Sequence, residues 1–265
     1  MPITRMESIC DFIKRYYKTL LFFAVVGLLG GFFVGLYTLD SYPPSVREEL
    51  ATELNKSGLG TIPIDIAVAV TTAVQSLLYG VALGALGILL GKKTGFWKDE
   101  ISITKKPLTY ALPGAIGGGL LMILSDLLFF NNVSEAIKES YATKPSLAYI
   151  LATVTYGAVI EEVMLRLFLL SLVTWLLHKI FKKDVSNTMG MVANLICALL
   201  FAAGHLPVTA LLIGLTPWTV LRCFLLNGGL GLLFGWLYRK WGLRYAMIAH
   251  GGCHVVSKLI WILFL

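Results

Sequence analysis

Long apolar runs alternate with short polar segments along the whole chain. The apolar runs cover about residues 19–39, 64–91, 108–130, 147–177, 188–204, 218–238 and 245–265. A helix of roughly 20 apolar residues crosses the hydrocarbon core of a bilayer. The pattern therefore predicts an all-α polytopic membrane protein, a bundle of seven transmembrane helices. An eighth is allowed if residues 205–217, interrupted by Pro207, Gly214 and Pro217, cross or dip. Gly27, Gly31 and Gly35 recur every four residues in the first run, as do Gly80, Gly84, Gly87 and Gly91 (with one shorter step) in the second. Such small faces let helices approach closely in lipid. The first run follows a basic segment, as in a signal peptide. It is too long for one, and Tyr42-Pro43-Pro44 is no small-residue cleavage site, so a retained first span is expected.

The polar segments set the orientation. Lys and Arg gather at the N-terminus (Arg5, Lys14, Arg15, Lys18) and in the loops near 92–106, 179–183 and 239–244. The loops between them are acidic or nearly uncharged. By the positive-inside rule the N-terminus is cytoplasmic and, with seven spans, the C-terminus lies outside. The composition agrees: 57% of residues are hydrophobic and 14% charged. A net charge of +7 suits loops facing anionic lipid. It does not indicate nucleic acid, because the basic residues are not clustered with aromatics on one face. Cys10, Cys197, Cys223 and Cys253 show no paired spacing and read as reduced thiols. Residues 1–265 read as one membrane domain with no internal repeat, and the lack of a long luminal domain points to a prokaryotic cell membrane.

Charges inside the fourth run change this picture. Glu161, Glu162 and Arg166 lie within 158–168, at membrane depth. Each costs at least about 2.5 kcal/mol there on insertion scales, so such residues are rare and usually functional. Glu162 and Arg166 are four apart with the carboxylate first, the favourable order for an ion pair on one helical face. Glu161 points about 100° away and needs a partner from elsewhere. His205 ends the run Phe201-Ala-Ala-Gly-His205, and His250 and His254 project from one face of the last span. Three imidazoles and a free carboxylate from three spans suggest hydrolysis of a carbonyl compound. Neutral imidazoles of His205, His250 and His254 are able to bind Zn2+ and leave a position for water, while a carboxylate takes the water's proton. The same imidazoles are also able to hold the water and stabilise an oxyanion without metal.

In order, Glu161-Glu162-x-x-x-Arg166, Phe201-x-x-x-His205 and His250-x-x-x-His254 resemble the three motifs of the CPBP intramembrane proteases. That family includes the type II CAAX prenyl endopeptidases and the Abi group of bacteriocin-processing and self-immunity proteases. The Gly-rich run from Gly228 to Gly235 fits the same pattern. The resemblance covers about residues 145–257, with only membrane spans, about 19–130, before it. It implies an intramembrane endopeptidase, of glutamate or metallo type, cutting near the cytoplasmic face. Its substrate would be a peptide or protein, prenylated or otherwise membrane-associated in the family's founding class. Glu161 would activate water beside His205 and His250, with Glu162 and Arg166 supporting the site. His254 stands where the family usually has Asn, either as a hydrogen-bond donor to an oxyanion or as a third imidazole ligand. Leu167 replaces a frequent Gly and bears on packing.

One accounting does not close. At about 1.5 Å per residue, Glu161 and His205 lie some 24 Å from the basic ends of their spans, but His250 lies only about 9 Å from Arg244. Either the fourth and fifth helices protrude or the last helix starts deep. Two other classes remain open: a non-catalytic immunity or binding protein, and a transporter using the Glu and His groups as a proton relay.

Overall fold

The computed structural model describes residues 8–99 and 102–265. Arg5 of the basic N-terminal segment lies outside them. Every regular element among the described residues is a helix. α1 spans Ile9–Ser41, α2 Pro44–Lys56 and α3 Ile64–Thr94. α4 spans Lys105–Leu128 and α5 Glu135–Ser140, and α6 runs unbroken through residues 147–181. α7 (Asn187–Gly204), α8 (Leu206–Ile213), α9 (Pro217–Trp241) and α10 (Leu243–Phe264) complete the chain.

Local sequence sets these boundaries. Ser146 and Ser186 cap α6 and α7 by accepting from the Tyr149 and Met189 amides. Thr216 and Thr219 form a reciprocal capping box at the start of α9. Gly95 ends α3 in a left-handed conformation, φ 76°, that only glycine adopts freely.

Six stretches are long and apolar enough to cross a membrane: Ile9–Ser41, Ile64–Thr94, Lys105–Asn132, Asn187–Ile213, Pro217–Trp241 and Leu243–Phe264. They account for six of the seven expected runs. The other, α6, is the helix that carries Glu161, Glu162 and Arg166. Residues 205–217 make no separate eighth crossing. α7 passes through a single turn at His205 into α8, giving one stretch of 27 residues. Pro207 is tolerated there because it occupies the first turn of α8, where its missing N–H costs nothing.

The glycines of α1 mark close helix contacts. A Cβ on Gly27 would stand 2.6 Å from the Ser76 carbonyl oxygen of α3, and one on Gly30 2.8 Å from the Tyr156 amide of α6. α1 thus meets α3 at backbone distance, as the small-residue pattern predicted, and Gly30, outside that pattern, brings it equally close to α6.

The mismatch in depth resolves through protrusion of α6. The Ser171 and Tyr238 hydroxyls meet at 2.8 Å, which puts Ser171 near the α9–α10 turn. The ten residues after Ser171 extend α6 by about 15 Å beyond that level. His250, seven residues into α10, then falls level with Glu162.

The large buried side chains are unevenly placed. Phe12, Tyr16, Ile88, Leu170, Phe234, Tyr238 and Tyr245 belong to one apolar cluster. All lie towards the lysine-rich ends of their helices, whereas the opposite ends enclose two cavities.

Candidate active site

α6 changes its winding where the charges sit. Residues 153–161 and 163–170 are π-helical, with i→i+5 hydrogen bonds. Such wide turns are uncommon and recur at functional sites. A wider turn also reduces the angle between successive side chains. Glu161 and Glu162 both lie inside the bundle, Glu161 on a cavity wall and Glu162 in packed surroundings.

Their surroundings differ. The Glu162 side chain is 0% exposed and pairs with Arg166 Nη1 at 2.9 Å. The same oxygen, Oε1, lies 2.8 Å from His250 Nδ1. Arg166 Nη2 donates to the Gly231 carbonyl at 3.3 Å, which ties α6 to the Gly-rich run of α9. Its guanidinium stacks over Phe201 at 4.9 Å and Phe234 at 5.5 Å from the ring centroids. The Glu161 side chain, by contrast, is 20% exposed, and its Oε2 lies 4.0 Å from His250 Nε2. Among the described residues Glu161 has no cation of its own.

The hydrogen bonds assign the imidazole tautomers. A carboxylate only accepts, so His250 Nδ1 carries the proton donated to Glu162. In the neutral ring its Nε2 is then bare. His254 Nε2 lies 3.2 Å from that atom and must be the N–H donor. This leaves His254 Nδ1 bare, and it is buried with no partner. His205 Nδ1 donates to the Phe201 carbonyl at 2.9 Å, so its Nε2 is also bare. Phe201 stands edge-on to His205 at 4.7 Å, and Phe234 stacks on His250 at 4.6 Å.

Glu161, His205, His250 and His254 all line one cavity of about 410 Å³. Glu162 and Arg166 sit behind it. Gly157 keeps the approach open: a Cβ there would lie 3.5 Å from His254 Nε2. The cavity offers the Glu161 carboxylate, the bare Nε2 of His205 and the N–H that His254 shares with His250 Nε2. That set holds a water by its hydrogens and keeps one donor for a developing negative oxygen.

A catalytic zinc site takes three protein ligands. Among the described residues no group of three or more His, Cys, Asp or Glu side chains is gathered to hold an ion. The closest arrangement is the pair of Nε2 atoms of His250 and His254. His205 shares their cavity without completing such a group, so the donor set does not fit a zinc centre.

Further polar residues line the cavity that sequence reasoning passed over: Tyr149, Tyr156, Arg222 and Asn227. Asn227 was visible as a lone amide in an apolar run. Arg222 was equally visible as a lone cation in that run, but its partner, 96 positions away, was not. Its Nε and Nη2 donate to the two oxygens of Asp126 at 2.6 and 2.7 Å, a bidentate pair joining α9 to α4. Tyr141 donates to Asp126 Oδ2 at 2.7 Å. Burial, then the Asp126 charge, raises the Tyr141 hydroxyl far above its ordinary pKa and keeps it a donor.

The cavity reaches the surface between the lysine-poor ends of the helices. Val34, Tyr37 and Thr38 of α1, Leu212 and Ile213 of α8, and Arg222 of α9 line its outer part.

Residues 143–256 match the model of a family described as type II CAAX prenyl endopeptidase Rce1-like. No curated protein and no solved structure matches the chain.

Proposed function

We propose, from the match of residues 143–256 to the family described as type II CAAX prenyl endopeptidase Rce1-like, that Glu161 activates water against a peptide carbonyl. The chain is a membrane peptidase of CAAX type in its general chemistry. The residue roles are our assignment. The observation that carries it is the division between the two carboxylates: Glu162 is committed to Arg166 and His250, whereas Glu161 faces the cavity uncommitted.

Glu161 takes one proton from a water whose other hydrogen is held by the bare Nε2 of His205. The water oxygen bonds to the carbonyl carbon. His254 Nε2–H turns from His250 to the developing oxyanion. Glu161 returns its proton to the amide nitrogen as the C–N bond breaks, releasing an acid and an amine. Glu162 and Arg166 fix the His250 ring and its tautomer. Positioned proton transfer contributes about 10²–10⁴-fold, so Glu161→Gln should lower cleavage by that order. The assay is peptide cleavage in proteoliposomes. Cleavage unchanged in Glu161→Gln overturns the assignment. Metal analysis bears separately on zinc: zinc present in wild type and lost in His254→Ala would make that residue a ligand.

The face of entry follows from charge. With the lysine-rich ends cytoplasmic, the cavity receives substrate from the outer side. Cys10 is an exposed native thiol near the N-terminus, and Ser41 lines the rim of the neighbouring cavity at the other end. In intact cells a membrane-impermeant maleimide should label Ser41→Cys and spare Cys10. The reverse pattern would put the opening in the cytoplasm.

A further inference from the structure

Asn227 of α9 lines the cavity that holds Glu161, and the hydrolytic mechanism does not use it. A carboxamide in an apolar helix ordinarily bonds helices to one another. Asn194 does so: its Nδ2 donates to the Leu232 carbonyl at 2.9 Å and ties α7 to α9. Asn227 bonds to no other helix among the described residues. Its Nδ2 turns back on α9 itself, to the Cys223 carbonyl at 3.2 Å and to Cys223 Sγ at 3.5 Å. A carbonyl only accepts, so the atom beside it is the nitrogen and not the oxygen. The thiol is anchored in turn, donating to the Ala202 carbonyl of α7 at 3.1 Å. The nitrogen side of the carboxamide is thereby held. Its Oδ1 is left as an acceptor with a fixed direction, and among the described residues nothing donates to it.

The same turn of α7 places this oxygen beside His205. Phe201 and Ala202 are consecutive. The Phe201 carbonyl accepts from His205 Nδ1, and the Ala202 carbonyl accepts from the cysteine that holds Asn227. Along α9, Asn227 is one turn, about 6 Å, nearer the mouth than Gly231, whose carbonyl is tied to Arg166. The winding there is π-helical over Phe224–Gly229, a second wide turn in the wall of the same cavity.

The missing partner follows from what a peptide brings. Each backbone N–H that leaves water for a cavity at membrane depth must find a new acceptor. In the mechanism above, Glu161 and the bare His205 nitrogen accept from the water, and His254 donates. The Thr209 hydroxyl donates to the His205 carbonyl. Asn227 Oδ1 is the oriented acceptor that remains. Resting on the peptidase reading above, we propose that Asn227 Oδ1 accepts a backbone N–H of the substrate next to the scissile bond. This fixes how far the chain enters towards Glu161. It also selects a residue with a free N–H at that position and excludes proline and N-alkylated residues.

The test uses one fluorescein-labelled peptide of alanine and leucine, and a set in which each backbone amide in turn is replaced by an ester. The ester keeps the shape of the amide and lacks its N–H. Binding is measured by fluorescence anisotropy to the full chain carrying Glu161→Gln in phosphatidylcholine nanodiscs, so the readout does not depend on turnover. One ester should weaken binding by about three- to tenfold, the size of one lost hydrogen bond, with the others near the parent peptide. Adding Asn227→Leu, which keeps the bulk and removes the acceptor, should erase the penalty at that position. Should Asn227→Leu not fold, Cys223→Ala, which frees the carboxamide, is expected to shrink the penalty at least about twofold, and an unchanged penalty there overturns the proposal. A penalty of the same size in Asn227→Leu overturns it, as does a parent peptide whose binding no single ester weakens. Equal weakening of every peptide by Asn227→Leu, with the penalty intact, gives Asn227 a structural role only and overturns it too. A penalty at one position that Asn227→Leu erases, while wild type cleaves none of the peptides, supports this site and counts against the hydrolytic assignment instead.

Discussion

The two ends of the helix bundle are built on opposite principles. At the lysine-rich end, aromatic and aliphatic side chains fill the space and the charges stay near the surface. Tyr16 and Trp97 both donate to Asp99, which also pairs with Arg15 at 3.0 Å. At the lysine-poor end, cations are drawn inside and the packing leaves room. Arg222 and Lys258 line a hollow there, each beside a tyrosine or a carboxylate. Close packing is the ordinary state of a protein interior, and unfilled polar space is the exception that needs a ligand. The contrast separates the end that holds the helices together from the end that receives something.

Changes at each end should therefore fail in different ways. The largest effect is expected from filling the hollow. Gly157→Leu projects into the space beside His254 and should lower kcat/KM by about 10²-fold or more, as a misplaced reacting group does. Its thermal unfolding midpoint should stay near wild type, since the side chain enters a void. At the level between the two ends, Arg166→Ala leaves Glu162 buried without its cation. Loss of one partner of such a pair costs about 3–5 kcal/mol, read as a lower midpoint in detergent. Tyr238→Phe at the packed end strands the Ser171 hydroxyl. About 1–3 kcal/mol should be lost, with KM unchanged, which separates packing from binding.

The smallest effect lies at the basic surface. Burial alone would raise the Asp99 carboxyl, but hydrogen bonds from Trp97 and Tyr16 and the charges of Arg15 and Lys92 outweigh it, and its pKa falls below the ordinary value. A depressed folded pKa stabilises above the unfolded value and loses that stabilisation as pH drops through the folded one. Asp99→Asn should thus flatten the stability profile below about pH 4. The change should stay under about 1 kcal/mol because the pair is half exposed and screened.

What the sequence discloses follows the range of each interaction. The apolar runs, the Glu162–Arg166 pair and the contact of Phe201 with His205 are local, and hydropathy with a four-residue spacing reveals them. The glycine stripe of α1 is legible for the same reason. The π-helical winding of α6 is not, since nothing in its composition distinguishes an i→i+5 turn from an i→i+4 turn. Asp126–Arg222 joins helices far apart in the chain and leaves no periodic trace. Lys258 was a signal available but unused: a lone cation in the last apolar run. Which end is hollow depends on how side chains from several helices fill a shared volume, and no single stretch records that.

The glycines of α1 carry one more implication. Gly27 and Gly30 hold α1 at backbone distance from α3 and α6, and the same helix then presents Val34, Tyr37 and Thr38 to the cavity. Tyr37 stacks on Tyr149 at 4.4 Å. The residues proposed to supply the chemistry lie within 143–256, but one wall of their cavity comes from a helix wholly outside that segment. A segment transplanted without α1 would keep every motif and lose a wall of the cavity those motifs line.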